Sequence, residues 1–178
     1  MINILINSGH SFFSLRKPLV QYLLSKNLEL KIITPNNSHN IKKKLESSKL
    51  KVIKFKLHEN KKSLVSLIKN YLNIYQIFKK QKNTTNVIFG SYLNLIFGIL
   101  SFFILSKKNV LVFTGLGSLF NSKNKIIILI VKQIFNLVAL QKNTLFIFYN
   151  RADRNFLLKK KFFFKKKKFL ISVIEVKK

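Results

Sequence analysis

Segments with strand-like and helix-like hydrophobic spacing alternate along this chain, and that alternation restricts the fold more than any other feature. Short apolar runs bounded by turn residues predict six strands, at residues 2–7, 28–34, 52–57, 87–89, 110–113 and 145–149. Helices are predicted between them, at residues 41–48, 63–80, 95–105 and 125–140. Strands that alternate with helices form βαβ units and a parallel sheet. The expected fold is α/β, a Rossmann-like parallel sheet of six to seven strands with helices on both faces.

Two predicted helices carry an apolar stripe at helical spacing, which is typical of a face that packs in a core. One stripe lies on a helix between the first two predicted strands and comprises Phe12, Leu15, Leu19, Tyr22 and Leu23. The stripe of helix 63–80 comprises Leu64, Leu67, Ile68, Tyr71, Ile74, Tyr75 and Phe78.

The ordered domain is expected to span residues 1–158, because the 178-residue chain has the length of one domain and ends in a low-complexity segment. Residues 159–168 are all Lys or Phe, and lysines packed so densely repel one another. We therefore expect residues 159–178 to form a basic tail, in which residues 169–174 are a candidate last strand.

Two stretches run from a predicted buried strand into a tight loop, at residues 112–120 and 148–156. Open α/β sheets bind ligands at such strand ends. Thr114, Gly115 and Gly117 are candidate binding residues, because glycines let a ligand approach the backbone closely. Asn150 is a further candidate, and Asp153 is a candidate catalytic acid. The alternatives are a structural turn at the glycines, a helix N-cap at Asn150 and a helix-start role for Asp153.

The turn after the first predicted strand supplies further candidates. Ser8 and Gly9 lead from a strand end into a helix start, where free backbone N–H groups favour an anion. His10 is a candidate base or phosphate donor, and Arg16 is placed to reach an acceptor phosphate. An ordinary βα turn and a surface position for Arg16 are the alternatives. The glycine spacing matches neither a dinucleotide fingerprint nor a Walker loop.

The motifs T-G-L-G-S-x-F at residues 114–120 and F-x-N-x-x-D-R-x-F at residues 148–156 resemble the N-terminal half of family 4 glycosyltransferases of the GT-B type. The most similar members extend lipid-linked sugars in bacterial surface-polysaccharide pathways. The resemblance implies the acceptor-side half of a glycosyltransferase of the hexosyltransferase class. Such an enzyme moves a sugar from a nucleotide-sugar to a lipid-linked or polysaccharide acceptor by stabilising phosphate charge across a closed cleft, so we expect no metal and no further cofactor.

The chain departs from the pattern of that family in two places. The glycine-rich turn into a second domain and the paired donor-binding glutamates have no counterpart among Glu29, Glu46, Glu59 and Glu175. We therefore expect the donor-binding domain to be missing, as in an incomplete sequence. The alternatives are a non-catalytic, membrane-docked subunit that recruits a separate donor-binding subunit, and an inactive truncated remnant. Residues 89–93 also lack the histidines and the Lys-Pro step that relatives commonly carry there, which weakens the expected acceptor contacts.

The formal net charge of +29 points to anionic partners, although AT-rich codons alone would enrich Lys, Asn, Ile and Phe. Arginine, the better bidentate phosphate ligand, occurs only three times, and no nucleic-acid-binding motif is present, so a nucleic-acid partner is not expected. Anionic lipid remains an expected partner. The absence of cysteine fits the reducing cytoplasm. Together with the lysine excess, it leads us to expect a cytoplasmic protein that is peripheral at the inner face of the membrane.

Residues 86–106 form an uncharged run that is long enough to span a bilayer. Gly90, Ser91 and Asn94 interrupt it, which favours a short strand followed by a buried helix. A membrane anchor is the alternative.

Overall fold

The computed structural model describes residues 1–8, 16–36, 50–58, 63–120, 124–163 and 169–171. The strands within these ranges are β1 (Ile2–Leu5), β2 (Leu30–Pro35), β3 (Leu50–Phe55), β4 (Thr84–Phe89), β5 (Ser106–Phe113), β6 (Thr144–Phe148) and β7 (Phe169–Ile171). The helices are α1 (Lys17–Ser25), α2 (Leu64–Phe78), α3 (Ser91–Leu100), α4 (Gly117–Phe120), α5 (Lys125–Leu140) and α6 (Arg151–Lys159). The helix predicted at residues 41–48 lies outside the described residues.

All seven strands form one parallel sheet in the order β3-β2-β1-β4-β5-β6-β7. From β1 the chain first builds outward through β2 and β3, and then crosses to the other side of β1 to place β4. The order therefore reverses between β1 and β4. Such a switch point opens a crevice outside the carboxyl ends of the strands.

Helices cover both faces of the sheet, as predicted. Leu5 and Ile33 belong to a core that also contains residues of α2, α3, α5 and α6. Ile4 and Ile32, their neighbours in β1 and β2, belong to a second core with Val20 of α1. Because successive strand residues point to opposite faces, α1 lies on one side of the sheet, and α2 to α6, including α4 through Phe120, lie on the other.

Helix α3 is the centre of the larger helical layer and contacts both α2 and α5. Nearly all of its residues are buried. Gly98 allows the close approach to α5, because a Cβ at this position would lie 3.0 Å from Cγ2 of Val138. The uncharged run at residues 86–106 forms most of β4 and then the buried helix α3, as expected. No helix in the described part of the chain has both the length and the apolar character that a bilayer crossing requires.

Several predicted boundaries and faces differ from the structure. Strands β4 and β5 begin three to four residues earlier than predicted, because polar residues also pair in the ladder. Helix α3 begins at Ser91 and ends at Leu100, so the predicted helix at residues 95–105 is shifted. The first stripe is wrong at Leu19 and Tyr22, which are exposed, since Val20, Leu23 and Leu24 set the buried face of α1.

The stripe predicted on α2 is wrong at Ile68, which is exposed, while Ile74 and Phe78 are buried. Side chains of Phe12, Leu15 and Leu64 lie outside what the structure describes. Helix α5 matches its predicted range, and Asn124 caps it by accepting hydrogen bonds from the N–H groups of Ile126 and Ile127.

The region after α6 contributes to the same core. Phe162 and Phe163 are buried, and the ring of Phe163 lies 4.7 Å from that of Phe146 and 6.1 Å from that of Phe148, between ring centroids. Strand β7 then pairs with β6 in parallel. The division of the chain at residue 158 into a domain and a basic tail stays a prediction.

Candidate functional site

The segments predicted to bind a ligand follow strands that are neighbours in the sheet. Strand β5 ends at Phe113 and β6 ends at Phe148, and these two residues are paired in register. The N–H of Tyr149 donates to the carbonyl of Phe113 at 3.1 Å, which extends the pairing by one residue. Because all strands are parallel, Thr114, Gly115 and Asn150 leave the sheet at the same edge. We call it the carboxyl-end edge.

The loops after β1, β4 and β5 contact one another at the switch point. Gly90, directly after β4, has a φ of +99°, and a Cβ there would lie 3.4 Å from Nδ2 of Asn7. The hydroxyl of Ser91 donates to the carbonyl of Gly115, and Nδ2 of Asn94 donates to the carbonyl of Val112 at 3.0 Å. Asn7, Gly90 and Ser91 therefore lie together at the switch point, beside the ends of β1, β4 and β5.

The sequence reasoning did not select these three residues as site residues. Gly90 and Ser91 were interpreted as interruptions of an apolar run and as part of a segment that departs from the family pattern. The available signal was a glycine placed directly after the apolar residues Val87, Ile88 and Phe89, which is the position of a βα turn in an α/β sheet.

The loop from Thr114 to Gly117 depends on its glycines for backbone conformation. Gly115 has a φ of +145° and Gly117 a φ of +63°, both in the region that L side chains rarely adopt. The described part of the chain places no atom within 4 Å of a Cβ built at either glycine. Backbone, rather than side chain, therefore borders the open space on this side of the crevice.

Arg16 immediately precedes α1 and is only 3% exposed, so the surface alternative is wrong. Its guanidinium lies over the ring of Phe89, 4.6 Å from the ring centroid. Burial lowers the pKa of Arg16, and the neighbouring Tyr149 opposes that shift. Burial raises the pKa of the Tyr149 phenol, against the influence of Arg16. Sequence reasoning missed Tyr149, which places a phenol beside this guanidinium.

Asn150 caps α6, and its side chain is engaged with Asp153. Oδ1 of Asn150 accepts from the N–H of Asp153 at 2.6 Å, and Nδ2 donates to Oδ2 of Asp153 at 2.9 Å. The N-cap and helix-start interpretations are confirmed. Substrate binding by Asn150 and catalysis by Asp153 stay predictions.

The other candidates lie at or near the end of β1. Ser8 is half-buried and lies three residues after Leu5, the last residue of β1, at the carboxyl-end edge. Gly9 and His10 lie outside the described residues. Within the ranges that the structure describes, no cluster of three or more His, Cys, Asp or Glu side chains has the arrangement to hold a metal ion.

Comparison with protein families gives a match to the glycosyl transferase 4-like family over residues 2–150. The chain belongs to this family. The match runs from β1 through β6 to Asn150, and so includes the switch point and the glycine loop. Comparison with curated proteins finds no match.

This glycosyl transferase 4-like domain has the parallel α/β architecture of a single GT-B half. Membership supports a glycosyltransferase-type function, with a nucleotide-sugar and an acceptor as the general substrates. The resemblance found in the two motifs is thereby confirmed at the level of the family.

Proposed function

We propose that this chain is the acceptor-side half of a glycosyltransferase that moves a sugar from a nucleotide-sugar to a lipid-linked or saccharide acceptor. The single observation that carries the proposal is the convergence of the loops after β1, β4, β5 and β6 on one edge, within the family match. Ligands of open α/β sheets bind at this edge. The acceptor binds at this edge beside Ser8, Thr114, Gly115 and Gly117. Gly9 is proposed as a further binding residue from its place in the sequence alone.

The proposed chemistry is electrostatic and needs no covalent intermediate. Backbone N–H groups of the glycine loop and the guanidinium of Arg16 stabilise the negative charge that develops on the leaving phosphate. Tyr149 positions Arg16, and Asn150 contacts the acceptor at the rim. His10 and Asp153 are the proposed candidates for proton transfer.

A donor-binding unit completes the reaction across the crevice. We propose that a separate subunit or further sequence supplies it, because no pair of glutamates at the family's spacing is present in these residues. An acceptor-side half without that unit still binds its acceptor, so binding is the appropriate first test. The proposed location is the cytoplasmic face of the membrane, supported by the excess of lysine.

Hydrogen–deuterium exchange of the full chain tests the proposed site without requiring turnover. The probes are uridine diphosphate and a water-soluble, short-chain polyprenyl diphosphate sugar. The expected result is slower exchange at residues 7–8, 90–91, 114–117 and 149–150. Slower exchange confined to the opposite edge, at residues 79–83 and 141–143, would overturn the proposal, as would no protection by either probe.

A matched pair of variants sharpens this test. Gly115→Ala introduces a Cβ at a φ of +145°, which distorts the loop, and should weaken binding of the polyprenyl probe about tenfold or more. Lys142→Ala changes an exposed residue at the opposite edge and should leave binding unchanged. Equal affinities for the two variants would contradict a role for the glycine loop.

A further inference from the structure

Helices α2 and α5 each present a row of exposed aliphatic side chains. The eight residues are 48 to 68% exposed, although all are large and apolar. We call them the outer helix face: Val65, Ile68, Leu72, Ile126, Leu129, Ile130, Leu137 and Leu140. Large apolar side chains that stay exposed in rows on neighbouring helices indicate an interaction surface.

The two rows point in the same direction. On α2 the exposed row lies opposite Ile74 and Phe78, which pack in the core against the sheet. On α5 the exposed row lies opposite Val131 and Phe135, which belong to the same core. Both helices flank α3 in one layer, so the outer helix face is the surface of that layer directed away from the sheet.

The charged residues of the two helices have one sign. Helix α2 carries Lys69, and helix α5 carries Lys125 and Lys132, with no Asp or Glu on either helix. Lys69 of α2 and Lys125 of α5 are exposed beside the aliphatic rows. A second copy of this chain would bring the same positive charges together, at a net charge of +29 for each copy. The charge pattern therefore complements an anionic partner and opposes self-association.

We propose that the outer helix face docks on an anionic lipid surface. The aliphatic side chains insert at the boundary between headgroups and acyl chains, and the lysines contact lipid phosphates. The combination of aliphatic insertion and lysine attraction supplies the two signals that stable peripheral binding requires.

Docking in this orientation lays the strands parallel to the membrane plane, because α2 and α5 pack flat on the sheet. The carboxyl-end edge then opens sideways, one helix layer (about 10 Å) from the lipid surface, so that an acceptor headgroup extending from the bilayer reaches it. Access of the acceptor to this edge rests on the proposed function, whereas docking of the outer helix face does not. Vesicle binding measured without any sugar substrate therefore tests docking independently of glycosyl transfer.

The test is co-sedimentation of the full chain with vesicles of phosphatidylglycerol and phosphatidylcholine, compared with phosphatidylcholine alone. The double variant Ile130→Asp/Leu137→Asp changes two exposed residues of α5 and should lower partitioning to the anionic vesicles at least about tenfold. The matched control, Leu19→Asp/Tyr22→Asp, places the same charges on exposed positions of α1, across the sheet, and should retain most of the binding.

A second pair of variants keeps the proposal testable if the acidic variant fails to fold by circular dichroism. The double variant Lys69→Gln/Lys125→Gln should lower partitioning to anionic vesicles about fivefold for each lysine. The double variant Lys69→Arg/Lys125→Arg keeps both charges and should bind like the unaltered chain. Equal losses for the α1 and α5 variants would overturn the proposal. A dimer of the unaltered chain that the α5 variant converts to a monomer would also overturn it, because a second copy would then cover this face.

Discussion

Three buried asparagines from neighbouring strands form a hydrogen-bonded row across the middle of the sheet. Nδ2 of Asn3 donates to Oδ1 of Asn86 at 2.7 Å, and Nδ2 of Asn86 donates to Oδ1 of Asn109 at 3.0 Å. Thr84 and Ser106 add further bonds to the central amide. The row joins β1, β4 and β5, and it occupies positions that apolar residues would fill in most parallel sheets.

Asn86→Ala should lower the free energy of unfolding by about 2 to 4 kcal/mol, because it leaves the buried amides of Asn3 and Asn109 without their central partner. Urea denaturation followed by circular dichroism measures this change. Asn73→Ala is the control, since it removes an exposed bond to the carbonyl of Lys56 and should cost less than about 1 kcal/mol. Equal costs at the two positions would show that the row contributes no more than a surface bond.

At the scale of the elements, strands β2 and β3 pair two lysines directly. Lys31 and Lys51 are partners in the parallel register. Burial lowers the pKa of Lys31, and the charge of Lys51 lowers it further. A lysine whose pKa is lower in the folded state opposes folding while it is charged. That cost is present at pH 7 and disappears as the pH rises through the folded pKa towards about 10.5.

Lys31→Gln should therefore raise the free energy of unfolding at pH 7 by about 0.5 kcal/mol, the order of a like-charge pair on adjacent strands. The difference from the unaltered chain should shrink above pH 10, and urea denaturation at pH 7 and at pH 10.5 measures it. Lys142→Gln, at an exposed loop position, is the control. A gain for Lys31→Gln that matches the control and is independent of pH would contradict an effect of the strand pairing.

The elements differ in how well sequence alone predicts them. Helix α5 matches its predicted range because its apolar period is a local signal. The early starts of β4 and β5 were missed because Asn86 and Asn109 look like breaks until their neighbours across the sheet are known. Ile68 was predicted to be buried because a wide apolar stripe does not reveal which edge faces the sheet.

At the scale of the whole molecule, the charge balance is far from neutral. The chain carries 34 Lys or Arg against 5 Asp or Glu. Like charges repel most strongly in the compact state, and dissolved salt screens that repulsion. Folding therefore brings an electrostatic cost that depends on ionic strength.

Raising sodium chloride from about 0.02 M to about 0.3 M, which shortens the screening length to roughly 6 Å, should raise the Tm of the full chain. A rise of about 3 °C or more corresponds to about 1 kcal/mol of relieved repulsion for a domain of this size. Differential scanning fluorimetry measures the change, and potassium chloride at equal ionic strength should act identically. A Tm that stays constant or falls would contradict self-repulsion.

For the candidate site, the sequence indicated the loops and the structure determined their arrangement. Thr114, Gly115, Gly117 and Asn150 were recognisable because a strand followed by a glycine or a capping residue is a local pattern. The contact of Gly90 with Asn7 and the bond from Ser91 to Gly115 join loops that are distant in sequence. Sequence spacing carries no signal for such contacts.

The alternation of strand and helix periods by itself determined the α/β class and the parallel sheet, and the residue type at Asn150 indicated the N-cap of α6. These signals are read along the chain without knowing which elements are neighbours. Only the tertiary structure decided the strand order, the burial of Arg16 over Phe89 and the direction in which α2 and α5 expose their aliphatic residues. These features depend on which elements lie side by side. Crossing from β3 to the far side of β1 sets that arrangement, and it is a property of the packed chain rather than of any segment.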